Sequence, residues 1–203
     1  MKRIIVAISG ASGLLLSREL LRLLAGPEVR GKVAAHLLIS PAAARVAEHE
    51  DPRGTACLED LARLSHQVHD PLDLAAPMAS GSWPHAGMVV CPCSMSTLAA
   101  IANGCGRNLL HRAADVCLKE RRPLILVTRE TPLSRIHLRN MLAASEAGAV
   151  IMPPCPAYYT GASSLEEASR HFAARILDLL GLPAPPVARW PERISRENAE
   201  VSF

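Results

Sequence analysis

Aromatic residues are scarce: Trp, Tyr and Phe occur twice each and make up 3% of the 203 residues. So few rings leave few platforms on which single-stranded bases could stack. An excess of one charge is missing too, because 22 Lys+Arg against 19 Asp+Glu give only +3. That is far from the basic footprint of a nucleic-acid-binding protein. The six cysteines show no metal or redox spacing either. Their only close pair, Cys91-Pro92-Cys93, has one intervening residue, and a zinc or redox hairpin needs at least two. No metal is expected, and the cysteines read as reduced, small core residues of a cytoplasmic protein.

A long uninterrupted apolar run is also lacking. Residues 74–106 contain no Asp, Glu, Lys or Arg, but Pro77, Pro84, Pro92 and several glycines break them up, which excludes a membrane span. Lys2-Arg3 ahead of Ile4–Ile8 imitates a leader. Ser9-Gly10 and Ser12-Gly13 then interrupt it, and Arg18 and Glu19 follow with no small-x-small cleavage site. There is no repeat, no low-complexity block and no Ser–His–Asp or Cys–His pattern. His66, His69, His85, His111, His137 and His171 read as scattered surface or packing residues.

What remains is the composition of an ordinary globular domain, 49% hydrophobic and 20% charged. Short β-branched runs alternate with longer helical patterns, as in a parallel sheet covered on both faces. Strands are expected at Arg3–Ile8, Val33–Ile39, Gly87–Cys91, Pro123–Val127 and Ala149–Met152. Helices are expected at Leu14–Leu24, Ala42–Glu50, Ser94–Asn103, Asn108–Arg121, Leu133–Ala147 and Leu165–Gly181. In the last, Leu165, Ala168, Phe172, Ile176 and Leu179 form one apolar stripe. The chain therefore reads as α/β, a single flavodoxin-like or Rossmann-like doubly wound domain over 1–182. The Pro-rich, then charged tail 183–203 is expected to wrap partly over a neighbouring subunit or to fray.

In such a fold ligands bind beyond the carboxyl ends of the strands. Ser9-Gly10-Ala11-Ser12-Gly13 follows the first strand and opens into a helix, whose unpaired N–H groups would favour a phosphate. It lacks the three-glycine dinucleotide spacing, and by itself it is a weak signal that also reads as a tight strand–helix turn. Ser40-Pro41 follows the second strand, as a hydroxyl donor or simply a capping serine. Cys91-Pro92-Cys93-Ser94-Met95-Ser96-Thr97 follows the third and places three hydroxyls on a helix start, a second anion-friendly terminus. Between 107 and 139, eight cations face three carboxylates, a net +5 that exceeds the whole chain's charge. Cationic helices are commonly just solvated faces. Here, however, Arg129-Glu130 leaves a buried strand at the ligand edge, and Arg112 and Lys119 lie two helical turns apart on one face.

These residues resemble the UbiX-type flavin prenyltransferases. The likeness is carried by Ile8–Gly13, Ala79-Ser80-Gly81-Ser82, Cys91–Ser94 with Thr97, Arg112–Val116, Leu118–Leu124, Arg129–Pro132, Gly148–Pro154, Tyr159, Arg175–Leu177 and Arg189-Trp190. It implies a flavodoxin-like domain in a homododecamer, with the site where subunits meet. It also implies transfer of the dimethylallyl group of dimethylallyl monophosphate to reduced FMN, at N5 and then C6, without a metal. The product would be prenylated FMN for UbiD-type decarboxylases. By position, the resemblance makes Gly10, Ala11, Ser12, Ser40, Ser94, Met95, Ser96, Thr97 and Arg129 flavin contacts. Arg112, Lys119, Arg129, Tyr159 and Arg175 become the allylic phosphate pocket, and Trp190 a cover for the prenyl chain. Ser12, Glu50, Lys119 and Glu130 form the implied catalytic set, with the two carboxylates handling protons.

Five positions depart from the family pattern: Leu16-Ser17 for a Tyr-Gly pair, Pro41 for a lysine, Met78 for a proline and Thr160 for a histidine. None removes a charge from the phosphate pocket. The changes at 16 and 41 keep open an alternative, a non-catalytic FMN-binding subunit or flavin carrier of a decarboxylase complex.

Overall fold

In a computed structural model of the chain, which describes residues 1–190, six parallel strands form one sheet. They are β1 (Lys2–Ile8), β2 (Val33–Ile39), β3 (Gln67–His69), β4 (Gly87–Cys93), β5 (Leu124–Thr128) and β6 (Val150–Ile151). Their order across the sheet is β3-β2-β1-β4-β5-β6. The chain runs outward in one direction from β1 and in the other from β4. The crevice at their carboxyl ends is therefore the topological switch point where such sheets bind ligands.

Period-two burial explains the two cores. Ile4, Val6 and Ile8 face one side of β1, where α1 (Leu14–Leu24), α3 (Cys57–Leu64) and α7 (Leu165–Leu179) pack. Ile5 and Ala7 face the other, covered by α4 (Met95–Ala102), α5 (Leu109–Lys119) and α6 (Arg135–Glu146). Burial on both faces is what turns these strands into near-continuous apolar runs. The remaining helix, α2 (Pro41–Glu50), follows β2.

The structure adds β3 and α3 to the expected elements. β3 is only three residues long, with a polar residue at each end, and α3 buries just Cys57 and Leu61. β4 runs two residues past its expected end, through Pro92 and Cys93. Pro92 has no N–H for the ladder, and the β4–β5 register shifts between Val90 and Cys93. Two further expectations need correcting. Cys105 and Cys155 are exposed, so only Cys57, Cys91, Cys93 and Cys117 are core residues. Leu165 and Leu179, the ends of the α7 stripe, are exposed as well. Among the described residues no helix is long and apolar enough to cross a membrane. Residues 191–203 of the expected tail lie outside the described part.

Candidate active site at the strand ends

Three loops meet at the switch point, and their hydrogen bonds explain how. The Ser9 hydroxyl donates to the Pro92 carbonyl at 3.0 Å and accepts from the Ser94 N–H at 2.8 Å, tying the ends of β1 and β4 together. Gly10 sits so close to α2 that a Cβ there would lie 2.5 Å from the Cβ of Ala42. Gly13 has φ +126°, a conformation open to glycine and strained for other residues.

Glu50, the last residue of α2, reaches back to this loop. Its carboxylate accepts from the Gly13 N–H at 2.8 and 3.0 Å and from the Leu14 N–H at 2.9 Å. At the amino end of α1 the Gly13 and Leu14 N–H groups are thus taken by a side chain 37 and 36 residues away. Those two groups are therefore not the unpaired donors expected at this helix start. The second terminus keeps its anion-friendly chemistry. At α4 the Ser94 hydroxyl accepts from the Thr97 N–H at 3.3 Å and lies 3.1 and 3.0 Å from the Ser96 and Thr97 hydroxyl oxygens. Met95 turns into the core, so only its backbone can face a ligand. Ser40 is the N-cap of α2 and accepts from the Ala43 N–H at 3.1 Å.

A cavity of about 610 Å³ opens beside these loops and brings together Ser12, Glu50 and Arg129. Arg129 is positioned by its backbone N–H, which donates to the Cys93 carbonyl at 3.1 Å. The other expected residues stand elsewhere on the same chain. Arg112 donates to the Ala79 carbonyl at 3.0 Å, pairs with Asp115 and lines a second hollow of about 500 Å³. Lys119 pairs with Glu120. Tyr159 meets the Trp190 ring edge-on at 5.1 Å and the His171 ring at 6.0 Å. Arg175 and Arg189 share the carboxylate of Asp178, which they hold below the ordinary aspartate range. Glu130 is exposed and accepts from the Thr131 N–H at 3.0 Å. A single chain therefore presents a cavity group, an α5 group and an α7 group.

Several side chains were not singled out in the sequence. Arg122 donates to the Trp83 and Gly81 carbonyls at 2.9 and 2.6 Å, clamping the 79–83 loop. Arg18 lines the cavity with its Nε buried and without a hydrogen-bond partner. Of the six histidines read as scattered, three, His66, His69 and His85, are not. His36, His66, His69 and His85 gather near Trp83, with His36 Nδ1 2.9 Å from His69 Nε2. Burial and the neighbouring His69 lower the His36 pKa from 6.5 to about 4, and burial lowers those of His69 and His85. Among the described residues no His, Cys, Asp and Glu group is placed to hold a metal ion.

Comparison with known proteins adds to this geometry. The family model described as Flavoprotein matches residues 1–173. A flavin prenyltransferase UbiX from Deinococcus radiodurans is 47% identical over 190 residues, 94% of each chain. A crystal structure of AnUbiX (PadA1) in complex with FMN and dimethylallyl pyrophosphate superposes with a TM-score of 0.87 at 45% identity. It covers 94% of this chain and 98% of that one. A dodecameric FMN-dependent UbiX-like decarboxylase from Escherichia coli O157:H7 gives a TM-score of 0.85 at 43% identity, covering 94% and 99%.

Proposed function

The chain belongs to the UbiX-type flavin prenyltransferases, and from that premise we propose that it joins the dimethylallyl group of dimethylallyl monophosphate to reduced FMN. Bonds form at N5 and then C6, and the prenylated FMN passes to a UbiD-type decarboxylase. The observation that carries this reading is the gathering of Ser12, Glu50 and Arg129 around one cavity at the switch point. The hydroxyls of Ser94, Ser96 and Thr97 at the start of α4 suit the phosphate end of FMN. The cavity has the size of a small-molecule site. Gly10, Ala11 and Ser40 complete the flavin side. When bound, reduced FMN supplies the nucleophilic N5 as the acceptor.

The residues of the chain have separable tasks. Arg129 places a fixed positive charge where the leaving phosphate gains negative charge, an interaction that strengthens in the transition state. The Glu50 carboxylate stands beside the cavity to take up and return a proton, with the Ser12 hydroxyl on the same rim. Glu130 assists as the second carboxylate. Tyr159 and Trp190 offer ring faces to a developing allylic cation and help keep out the water that would trap it. Arginine and lysine take the role a metal ion would otherwise fill at the phosphate.

Arg112 and Lys119 complete the pocket only if a neighbouring copy delivers them, since their own chain holds them at α5. We therefore place the site between subunits of a homo-oligomer, a dodecamer as in the E. coli relative. We assign the catalytic domain to 1–182, leave 183–203 as a tail toward a neighbour, and locate the protein in the cytoplasm, with no nucleic-acid or membrane partner. The test is to incubate purified protein with reduced FMN and dimethylallyl monophosphate and to weigh the flavin. A gain of one prenyl group is expected. Tight flavin binding without any gain would leave the carrier alternative standing.

A further inference from the structure

The cavity has two unlike parts. Its polar lining includes Ser12, Glu50 and Arg129, and its apolar lining includes Leu15 and Leu16 of α1, Cys57 and Leu61 of α3, and Leu165 and Phe172 of α7. The α7 wall runs from mouth to base, because Leu165 is 76% exposed and Phe172 only 8%. Seven residues of helix span about 10 Å. The four-carbon backbone of a dimethylallyl group reaches roughly 4–5 Å, half of that wall. Charge is present in the trough too: Arg53 is bound to Asp51 and Asp60, and Arg18, whose Nε has no hydrogen-bond partner, lies 3.7 Å from Glu19 and from Glu166. Leu16 gives this wall no polar atom where the family resemblance leads one to expect a tyrosine.

Resting on the prenyl-transfer reading, we propose that the trough takes the distal part of a longer isoprenoid chain, and that geranyl phosphate serves as a donor. Its phosphate sits at Arg129 and its second isoprene unit lies along Leu16, Leu61 and Phe172. The transfer is balanced as for the shorter donor. The C1–O bond of the prenyl phosphate breaks, and its electron pair leaves with the phosphate. The N5 lone pair of reduced FMN forms the new bond to C1, and the N5 proton goes to the departing phosphate. Only the length of the chain against the apolar wall changes.

The test gives the full-length protein reduced FMN with dimethylallyl phosphate, with geranyl phosphate, and with both together, and reads product masses. Flavin heavier by two isoprene units is expected from geranyl phosphate. Leu16→Trp should lower the geranyl-to-dimethylallyl product ratio by about tenfold or more, the discrimination a filled apolar pocket provides. Leu165→Asn, at an exposed position that folding tolerates, should lower the ratio in the same direction. Dimethylallyl transfer with no geranyl adduct overturns the chain-length proposal and leaves the enzyme's function intact. No transfer from either donor overturns the prenyl-transfer reading, and this proposal with it.

Discussion

Glu50 and Gly13 are joined by hydrogen bonds of 2.8 and 3.0 Å from one backbone N–H to both oxygens of one carboxylate. The same carboxylate caps Leu14 at 2.9 Å. A group proposed to move protons is thus also the cap of α1, and the two roles can be separated. Glu50→Gln keeps an acceptor oxygen and loses the charge. It should slow transfer while the donor KM and the melting temperature change little. Glu50→Ala removes the cap as well and should cost about 1 kcal/mol of stability. Single-turnover rates and thermal melts distinguish the two, and unchanged turnover in the glutamine variant would remove Glu50 from the chemistry.

Phosphate and flavin contacts should also divide cleanly. Lys119→Ala and Arg175→Ala each remove a cation assigned to the prenyl phosphate and none assigned to FMN. Donor binding should weaken by about 1.5–3 kcal/mol, the contribution of one charge-assisted hydrogen bond, with FMN affinity retained. Flavin titration followed by donor saturation curves checks this, and a parallel loss of FMN would contradict the division.

Folding stability should fall in acid because of the buried histidines. Their folded-state pKa values lie below the ordinary value of 6.5, so the folded state favours neutral rings and the unfolded chain takes up the protons. Stability is fully present above about pH 6.5 and is lost as the pH falls toward 4. The His36 shift from 6.5 to about 4 corresponds to about 3 kcal/mol. Urea unfolding across that range should show the decline, and His36→Leu should flatten it. An identical slope in the variant would deny His36 its share.

Gly10→Ala tests why the first loop is so small. The added methyl would meet the Ala42 Cβ at 2.5 Å, two carbons with no flexible end to give way. A loss of about 1–3 kcal/mol is expected. Pairing the change with Ala42→Gly should recover part of that loss in the same melting experiment.

How much of this was legible in the sequence follows from the range of the interactions. β1 and β2 announce themselves because both of their faces are buried, and Val33–Ile39 has the bounds its apolar run predicts. β3 and α3 bury too few residues to leave a periodic signal. At the site, the helix starts after β1 and β4 were visible as local patterns. Glu50 closing the first of them was not, because the contact spans 37 residues. The same holds for His36: within an apolar strand it looks isolated, and only the pairing of β2 with β3 sets it beside His69. Arg112 and Lys119 share a helix face as their spacing requires, but spacing cannot specify whose phosphate they meet.

That last question admits a direct answer from subunit mixing. Arg112→Ala and Arg129→Ala oligomers should each be inactive in flavin prenylation. After dissociation, equal mixing and reassembly, sites should form with Arg129 from one copy and Arg112 from another. At random assembly about a quarter of the sites would be whole, so about a quarter of the wild-type activity should return. A reassembled mixture as inactive as its parents would contradict a site shared between subunits.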